Sequence, residues 1–149
     1  MVANFYITLI GAAVLLMMFY LHYQRRASAI RAAATRLGFE YEGETLPPSL
    51  NLRGTGLNSA TSTWNVIEGK RRGVRVVAFD CQLGSGKGSW RRSVIAAEGS
   101  ADIFGMFNPE FAVEYSGEWV LFYQPKAVSL IPTGLMPVAE IEARLNAIT

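Results

Sequence analysis

A single cysteine and a single histidine in 149 residues already close off several chemistries. Cys81 has no partner, so an intramolecular disulfide is excluded; this suits a reducing compartment, although disulfide-free exported proteins are also common. His22 has no second histidine or cysteine near it, so no metal-ligand spacing exists and no metal site is expected. Cys81 likewise has no imidazole within reach of its part of the chain, and a nucleophilic thiol needs a base; it reads as a packed thiol on the apolar face of a strand. Charge is missing from Phe5 to Leu21, and no cationic residue precedes that run. A cleaved secretory signal carries a positive N-region; here that is absent, and the small-residue stretch Ala27-Ser28-Ala29 is cut off from the apolar run by two arginines. There is no internal repeat and no low-complexity tract.

What the chain has in excess is hydrophobicity: 50% apolar residues and a mean hydropathy of +0.20. The excess is concentrated at the N-terminus. The run FYITLIGAAVLLMMFYL, about 17 residues, would span roughly 26 Å as a helix, and Asn4, His22 and Tyr23 lengthen it toward a hydrocarbon core of about 30 Å. Nine Phe, Ile, Leu or Val residues contribute about −3 to −5 kcal/mol to insertion, unopposed by charge. Phe5 and Tyr6 at one end, and Tyr20 and Tyr23 at the other, form aromatic belts. Arg25 and Arg26 are expected to snorkel to the headgroups. Gly11, Ala12 and Ala13 offer a possible face for close packing of a second helix. Four arginines, Arg25, Arg26, Arg31 and Arg36, follow the run, so the positive-inside rule places the C-terminal side in the cytoplasm of a cell (inner) membrane.

Residues 1–24 are thus read as a transmembrane helix, 25–38 as a juxtamembrane helix and 39–149 as a cytoplasmic α+β domain. The Ala- and Arg-rich stretch from Gln24 to Leu37 has strong helix propensity. Gly38 is placed to end it, and Ile30, Ala33, Ala34 and Leu37 recur at helical spacing, which predicts a docking face. The period then changes to two. Short strands are predicted at Phe39–Glu42, Trp64–Ile67, Val74–Leu83, Trp90–Glu98, Phe111–Tyr115 and Glu118–Tyr123, with an exposed loop from Thr55 to Thr63 and turns at Gly69–Gly73, Gly84–Ser89 and Ser116-Gly117. In the strongest strand Val77, Phe79, Cys81 and Leu83 share one face, and Val74, Val76, Ala78 and Asp80 the other. Ile103, Phe104, Met106 and Phe107 suggest a short apolar turn. A Pro-punctuated linker, Pro125–Pro137, precedes an amphipathic helix, Val138–Ile148, whose stripe is Ile141, Leu145 and Ile148. The expected architecture is an N-terminal membrane helix, a small antiparallel sheet and a C-terminal helix packed on one sheet face.

Candidate chemistry is sparse. Gly84-Ser85-Gly86-Lys87-Gly88-Ser89 invites a phosphate-binding loop, but Cys81 stands where the first glycine is needed and Gly88 where Ser or Thr must succeed the lysine. The next residues, Trp90 to Ile95, read as a strand where a helix should open. Asp80 is expected to pair with Lys87, Arg91 or Arg92 across the hairpin. Glu40, Glu42, Glu44, Glu114 and Glu118 are scattered, with nothing to form an acid/base pair. Net charge is +2, and the basic runs Lys70-Arg71-Arg72 and Arg91-Arg92 are too short for a nucleic-acid footprint. No cofactor, no catalytic residue and no nucleic-acid partner are expected.

The order Leu37-Gly38-Phe39-Glu40-Tyr41, Asn65-Val66, Gly69, Gly73, Phe79-Asp80, Gly84-Ser85-Gly86-Lys87 and the closing Trp119-Val120-Leu121-Phe122-Tyr123 strand resembles an uncharacterised family of small bacterial membrane-anchored or membrane-associated proteins. This chain departs from the pattern at Cys81, where an aromatic is expected, and in a shorter segment between Glu98 and Phe111. The resemblance implies an anchored domain and carries no known activity. The function expected is a single-pass, non-enzymatic interaction module or accessory subunit with a protein partner in the membrane. The alternative is a lipid- or small-ligand-binding domain. A pilin-like subunit shares the outline but lacks the Gly-Phe cleavage site and the acidic residue of such chains.

Overall fold

The structure, a computed structural model, describes residues 2–104, 111–124 and 134–148. Its first element, α1 (Val2–Leu37), is one unbroken 36-residue helix, roughly 54 Å long at 1.5 Å per residue. Gly38, at φ 70°, lets the chain reverse without a Cβ clash. The N–H groups of Gly38 and Phe39 then close back on Thr35 O (3.2 Å) and Ala34 O (2.8 Å), satisfying carbonyls the helix end would otherwise orphan.

The helix lives in two environments. From Asn4 to Arg25 it is exposed on every side. From Arg26 it joins the domain, and Ala27, Ile30, Ala33, Ala34 and Leu37 are buried. These are the docking positions that the helical spacing predicts, with Ala27 added one turn earlier.

Six strands come next: β1 (Glu40–Gly43), β2 (Ala60–Arg71), β3 (Val74–Leu83), β4 (Trp90–Glu98), β5 (Ala112–Ser116) and β6 (Trp119–Tyr123); α2 (Val138–Asn146) closes the chain. They form one antiparallel sheet in the order β1-β2-β3-β4-β6-β5. With the helices this makes an α+β fold. On the first sheet face Ile67, Val76, Ala78, Ile95, Ala97, Val120 and Phe122 pack against Ile30, Ala34 and Leu37 of α1 and Ile141, Leu145 and Ile148 beside them. The period-two pattern and the terminal stripe predict these partners.

The second face departs from expectation. Val66, Val77, Phe79, Cys81, Val94, Trp119 and Leu121 are covered by Leu50 and Leu57, with Leu46 and Leu52 packed at the margin. The crossover from β1 to β2 therefore lies beneath the sheet as a second layer, and Leu57 is fully buried. The exposed loop expected from Thr55 to Thr63 is corrected at both ends: Thr55 is buried, and Ala60–Thr63 already belong to β2. Polar composition concealed a strand there because pairing with β3 decides it: Ala60 sits opposite Leu83 and Thr63 opposite Cys81. At the other end β2 runs on to Arg71, and the turn tightens to Arg72-Gly73, both at positive φ (48° and 82°), as a two-residue hairpin of right-handed strands requires. The turn before β6 shifts by one residue to Gly117-Glu118, since Ser116 pairs with Trp119.

Within the Gly99–Pro109 stretch, Ala101–Phe104 form a 3-10 turn; Met106 and Phe107 lie outside the described residues, as does most of the Pro125–Pro137 linker.

Candidate functional site

Among the described residues, Asp80 is the carboxylate set into the middle of the sheet. It falls on the first face, where the alternation puts it in line with Ala78 and Val76, and it is 1% exposed. A buried charge costs several kcal/mol unless it is paired and hydrogen-bonded, and three elements converge to do this. Arg26 of α1 makes a two-pronged contact, Nε to Oδ2 and Nη2 to Oδ1, each 2.8 Å. Ser93, directly opposite in β4, donates its hydroxyl to Oδ1 at 2.7 Å. Asn65 donates Nδ2–H to Oδ2 at 3.0 Å. It can do so because β2 bulges there: the register shifts between Trp64 and Ile67, and Asn65 takes φ 53°, a left-handed conformation that asparagine tolerates better than most residues.

The network extends outward. Tyr41 of β1 donates to Asn65 Oδ1 at 3.2 Å. Arg26 Nη1 donates to Met136 O at 2.9 Å, and Met136 N–H donates to Ser93 Oγ at 2.9 Å. Arg26 Nη2 also donates to Ser93 Oγ at 3.1 Å, so one side chain of α1 is bonded to β3, to β4 and to the segment leading into α2. The void beside the pair, about 10 Å³ between Ile30, Ala33, Asn65 and Val138, is no larger than a water. With four hydrogen bonds accepted, the carboxylate clamps α1 to the sheet.

This corrects two expectations. Arg26 does not reach toward headgroups: its side chain is 13% exposed and turned into the domain, whereas Arg25 is exposed. Asp80 does not pair across the hairpin either. The register puts Arg92 opposite Cys81 on the second face; Arg91, opposite Gln82, shares the face of Asp80 but lays its guanidinium over Trp64, and Lys87 is exposed in the turn. Burial lowers the pKa of Arg92 and pushes the Cys81 thiol up to about 12, with the charge of Asp80 adding to the effect.

A second polar cluster fastens the crossover beneath the sheet. Glu114 Oε2 accepts from Tyr123 Oη (2.7 Å) and from the Gly56 N–H (2.8 Å). Gly56 is required there, because a Cβ would fall 2.2 Å from Tyr123 Oη. Burial, then the hydrogen bond to Glu114, raises the Tyr123 pKa. Trp119 Nε1–H donates to Ser49 Oγ at 3.2 Å.

Larger open space lies elsewhere: a hollow of about 200 Å³ between Gly38, Glu68 and Arg75, and a cleft where α1 leaves the domain. Two adjoining hollows, of about 260 and 200 Å³, share Tyr23, Trp64 and Arg91. Glu44, Ser62, Thr63 and Gln82 complete the first; Phe19, His22, Arg26 and Leu135 complete the second. The Arg91 guanidinium lies 5.9 Å over the Trp64 ring, and among the described residues no carboxylate is paired with it. Sequence reasoning missed this cleft because its walls come from the end of an apolar helix and from two strands far apart in the chain.

Of the other positions singled out, Phe5, Tyr6, Tyr20 and Tyr23 are exposed, the first two rings edge-on at 6.0 Å. Gly11, Ala12 and Ala13 are exposed together, with open space around Gly11. Among the described residues no three His, Cys, Asp or Glu side chains are grouped to hold a metal. No protein-family model, no curated protein and no solved structure matches this chain.

Proposed function

We propose that the chain is a single-pass protein of the cell (inner) membrane, with its domain in the cytoplasm, that acts as a non-enzymatic interaction module or accessory subunit of a membrane assembly. The observation that carries this reading is the division of α1. Its first part is apolar and exposed on all sides, long enough to cross a bilayer, and its last part is built into the core and pinned by Arg26 and Asp80. No flexible linker separates the two. A domain fixed in height and azimuth above its anchor suits a partner that is itself held in the membrane, and the small residues Gly11, Ala12 and Ala13 allow a second helix to approach closely. The orientation rests on Arg25, Arg26, Arg31 and Arg36, all of which count as positive charge during insertion, before Arg26 meets Asp80. An anchored domain is also what the resemblance to small bacterial membrane-associated proteins implies.

Two experiments test this. Carbonate washing should leave the full chain in the membrane pellet, and a C-terminal reporter active only in the cytoplasm should score positive; release by carbonate, or a periplasmic tail, refutes the anchor or its direction. A photo-crosslinker at Gly11 in native membranes should give a discrete adduct with another membrane protein or a second copy. A solubilised monomer with no adduct and nothing co-purifying would reject the accessory-subunit reading.

A further inference from the structure

We propose that the cleft between Tyr23 of α1 and Trp64 and Arg91 of the sheet holds the headgroup of a bilayer phospholipid, with Arg91 on the phosphodiester and Glu44 on a primary ammonium. This rests on α1 spanning the membrane as proposed above. The sheet's position then comes from its register with the helix. Arg26 touches Asp80, while Phe39, just past the other end of α1, lies against Gly69, the partner of Val76; α1 and β3 therefore run in opposite directions. From Arg26 back to Phe19 is seven residues of helix, about 10 Å. From Asp80 on to Leu83 is three residues of strand, about 10 Å. The end of β3 and the Gly84–Ser89 turn accordingly stand level with Phe19, in the last turn of the apolar run.

That end of the sheet is dressed for a headgroup layer. Trp90 is 55% exposed, Lys87 is exposed beside it, and tryptophan and lysine both favour this depth. Within the cleft, Arg91 presents a planar cation backed by the Trp64 ring, suited to two-pronged recognition of a phosphate. Phe19 and Leu135 supply an apolar wall on one side. Glu44 lines the hollow on the other, its backbone fixed by the Thr63 hydroxyl donating to Glu44 O at 2.8 Å. A cation and an anion lining one cleft match a zwitterionic headgroup better than a purely anionic one.

The test uses the full chain, delipidated in detergent and offered ethanolamine and glycerol phospholipids of the same acyl chains, with retained lipid counted by native mass spectrometry. The wild type should retain the ethanolamine lipid about fivefold over the glycerol lipid, and Arg91→Gln should lower retention of the former about fivefold, as expected for one charge at such a surface. Glu44→Gln should abolish the preference and leave retention. Arg53→Gln, an exposed cation on the crossover beneath the second face, should change neither. Undiminished lipid on Arg91→Gln, equal retention of the two lipids by wild type, or an equal loss on Arg53→Gln would overturn the proposal. Soluble phosphoethanolamine should fail to displace the lipid; displacement would assign the cleft to a free phosphate compound and overturn the lipid reading. Arg91 is exposed, so its variant should melt with the wild type. Carbonate extraction of each variant reads the anchor alone, which separates a lost lipid from a lost span.

Discussion

Replacing Asp80 with Ala removes the acceptor of four hydrogen bonds and strands the Arg26 guanidinium against the sheet. Breaking one side of a buried pair costs about 3–5 kcal/mol. Arg26 retains some access to solvent, at 13% exposure, and keeps its bond to Met136 O, so the lower end, about 3 kcal/mol, is the better figure. Against a total of about 5–15 kcal/mol that is a large fraction. At about 4 °C per kcal/mol for a domain near this size, the melting temperature of the full chain in detergent should fall by about 12 °C, monitored by near-ultraviolet dichroism of the three tryptophans. Asp80→Asn should be almost as damaging, since its amide would face the donors of Arg26 or Asn65. The double variant Arg26→Met with Asp80→Leu should recover most of the loss, because an apolar replacement of a buried pair is often neutral; the Asn65 amide and the Ser93 hydroxyl would keep Tyr41 and Met136 but lack an acceptor for their own protons, leaving about 1–2 kcal/mol unrecovered. A shift below about 4 °C for Asp80→Ala, or a double variant no better than the single, would refute the clamp.

Three further outcomes are expected from the packing. Leu57→Ala should cost about 2–5 kcal/mol, measured by denaturant titration; a loss below about 1 kcal/mol would mean that the crossover is a surface loop after all. Gly69→Ala should destabilise by about 1–3 kcal/mol, because the new Cβ would sit 2.2 Å from the Phe39 ring, and Phe39→Ala should mask the effect. The Cys81 thiol, raised from 9.0 to about 12 by burial, holds its proton in the folded chain after the unfolded chain has lost it. Its contribution is therefore complete below pH 9 and is lost as pH rises from there toward 12. Cys81→Val should flatten that part of the stability profile, and iodoacetamide at about pH 8, near the ordinary thiol pKa, should label Cys81 only as fast as the domain opens; labelling at the rate of a free thiol would contradict the burial.

Short-range patterns carried much of this architecture. The apolar run of α1, the alternation of β3 and β4 and the stripe of α2 are each decided by residues within a few positions of one another, and burial tracks the alternation and the stripe. The crossover is different. Leu46, Leu50, Leu52 and Leu57 obey no period, so only the unfilled second face of the sheet tells them where to go. The clamp was half legible. An aspartate in the middle of Val-Val-Ala-Phe-Asp-Cys-Gln-Leu demands a buried partner, but along the hairpin Arg92 falls on the opposite face and Arg91 turns to Trp64. The true partner is 54 residues away, on a helix whose arginines look like membrane-flanking charge. The cleft left no local mark because it exists only once the helix end and two strands are set side by side.

The same clamp decides where the domain begins. Composition divides the chain after residue 24, and an anchorless domain starting at Ser28 would keep every strand and the buried positions Ile30 to Leu37. It would also lack Arg26 and leave Asp80 buried with no cation, which is the Asp80 problem inverted: an uncompensated carboxylate, costing about 3–5 kcal/mol. A chain starting at Gln24 retains Arg26 and Ala27 within the first helical turn and should fold, resist protease and melt about 12 °C or more above the Ser28 chain. Equal melting of the two would mean that Arg26 contributes nothing the domain needs. If they differ as expected, anchor and domain are not two modules joined at a membrane boundary. The helix proposed to cross the bilayer is then the same body that completes the core, and motion imposed on it would reach the sheet through Asp80 as well as through Ile30, Ala34 and Leu37.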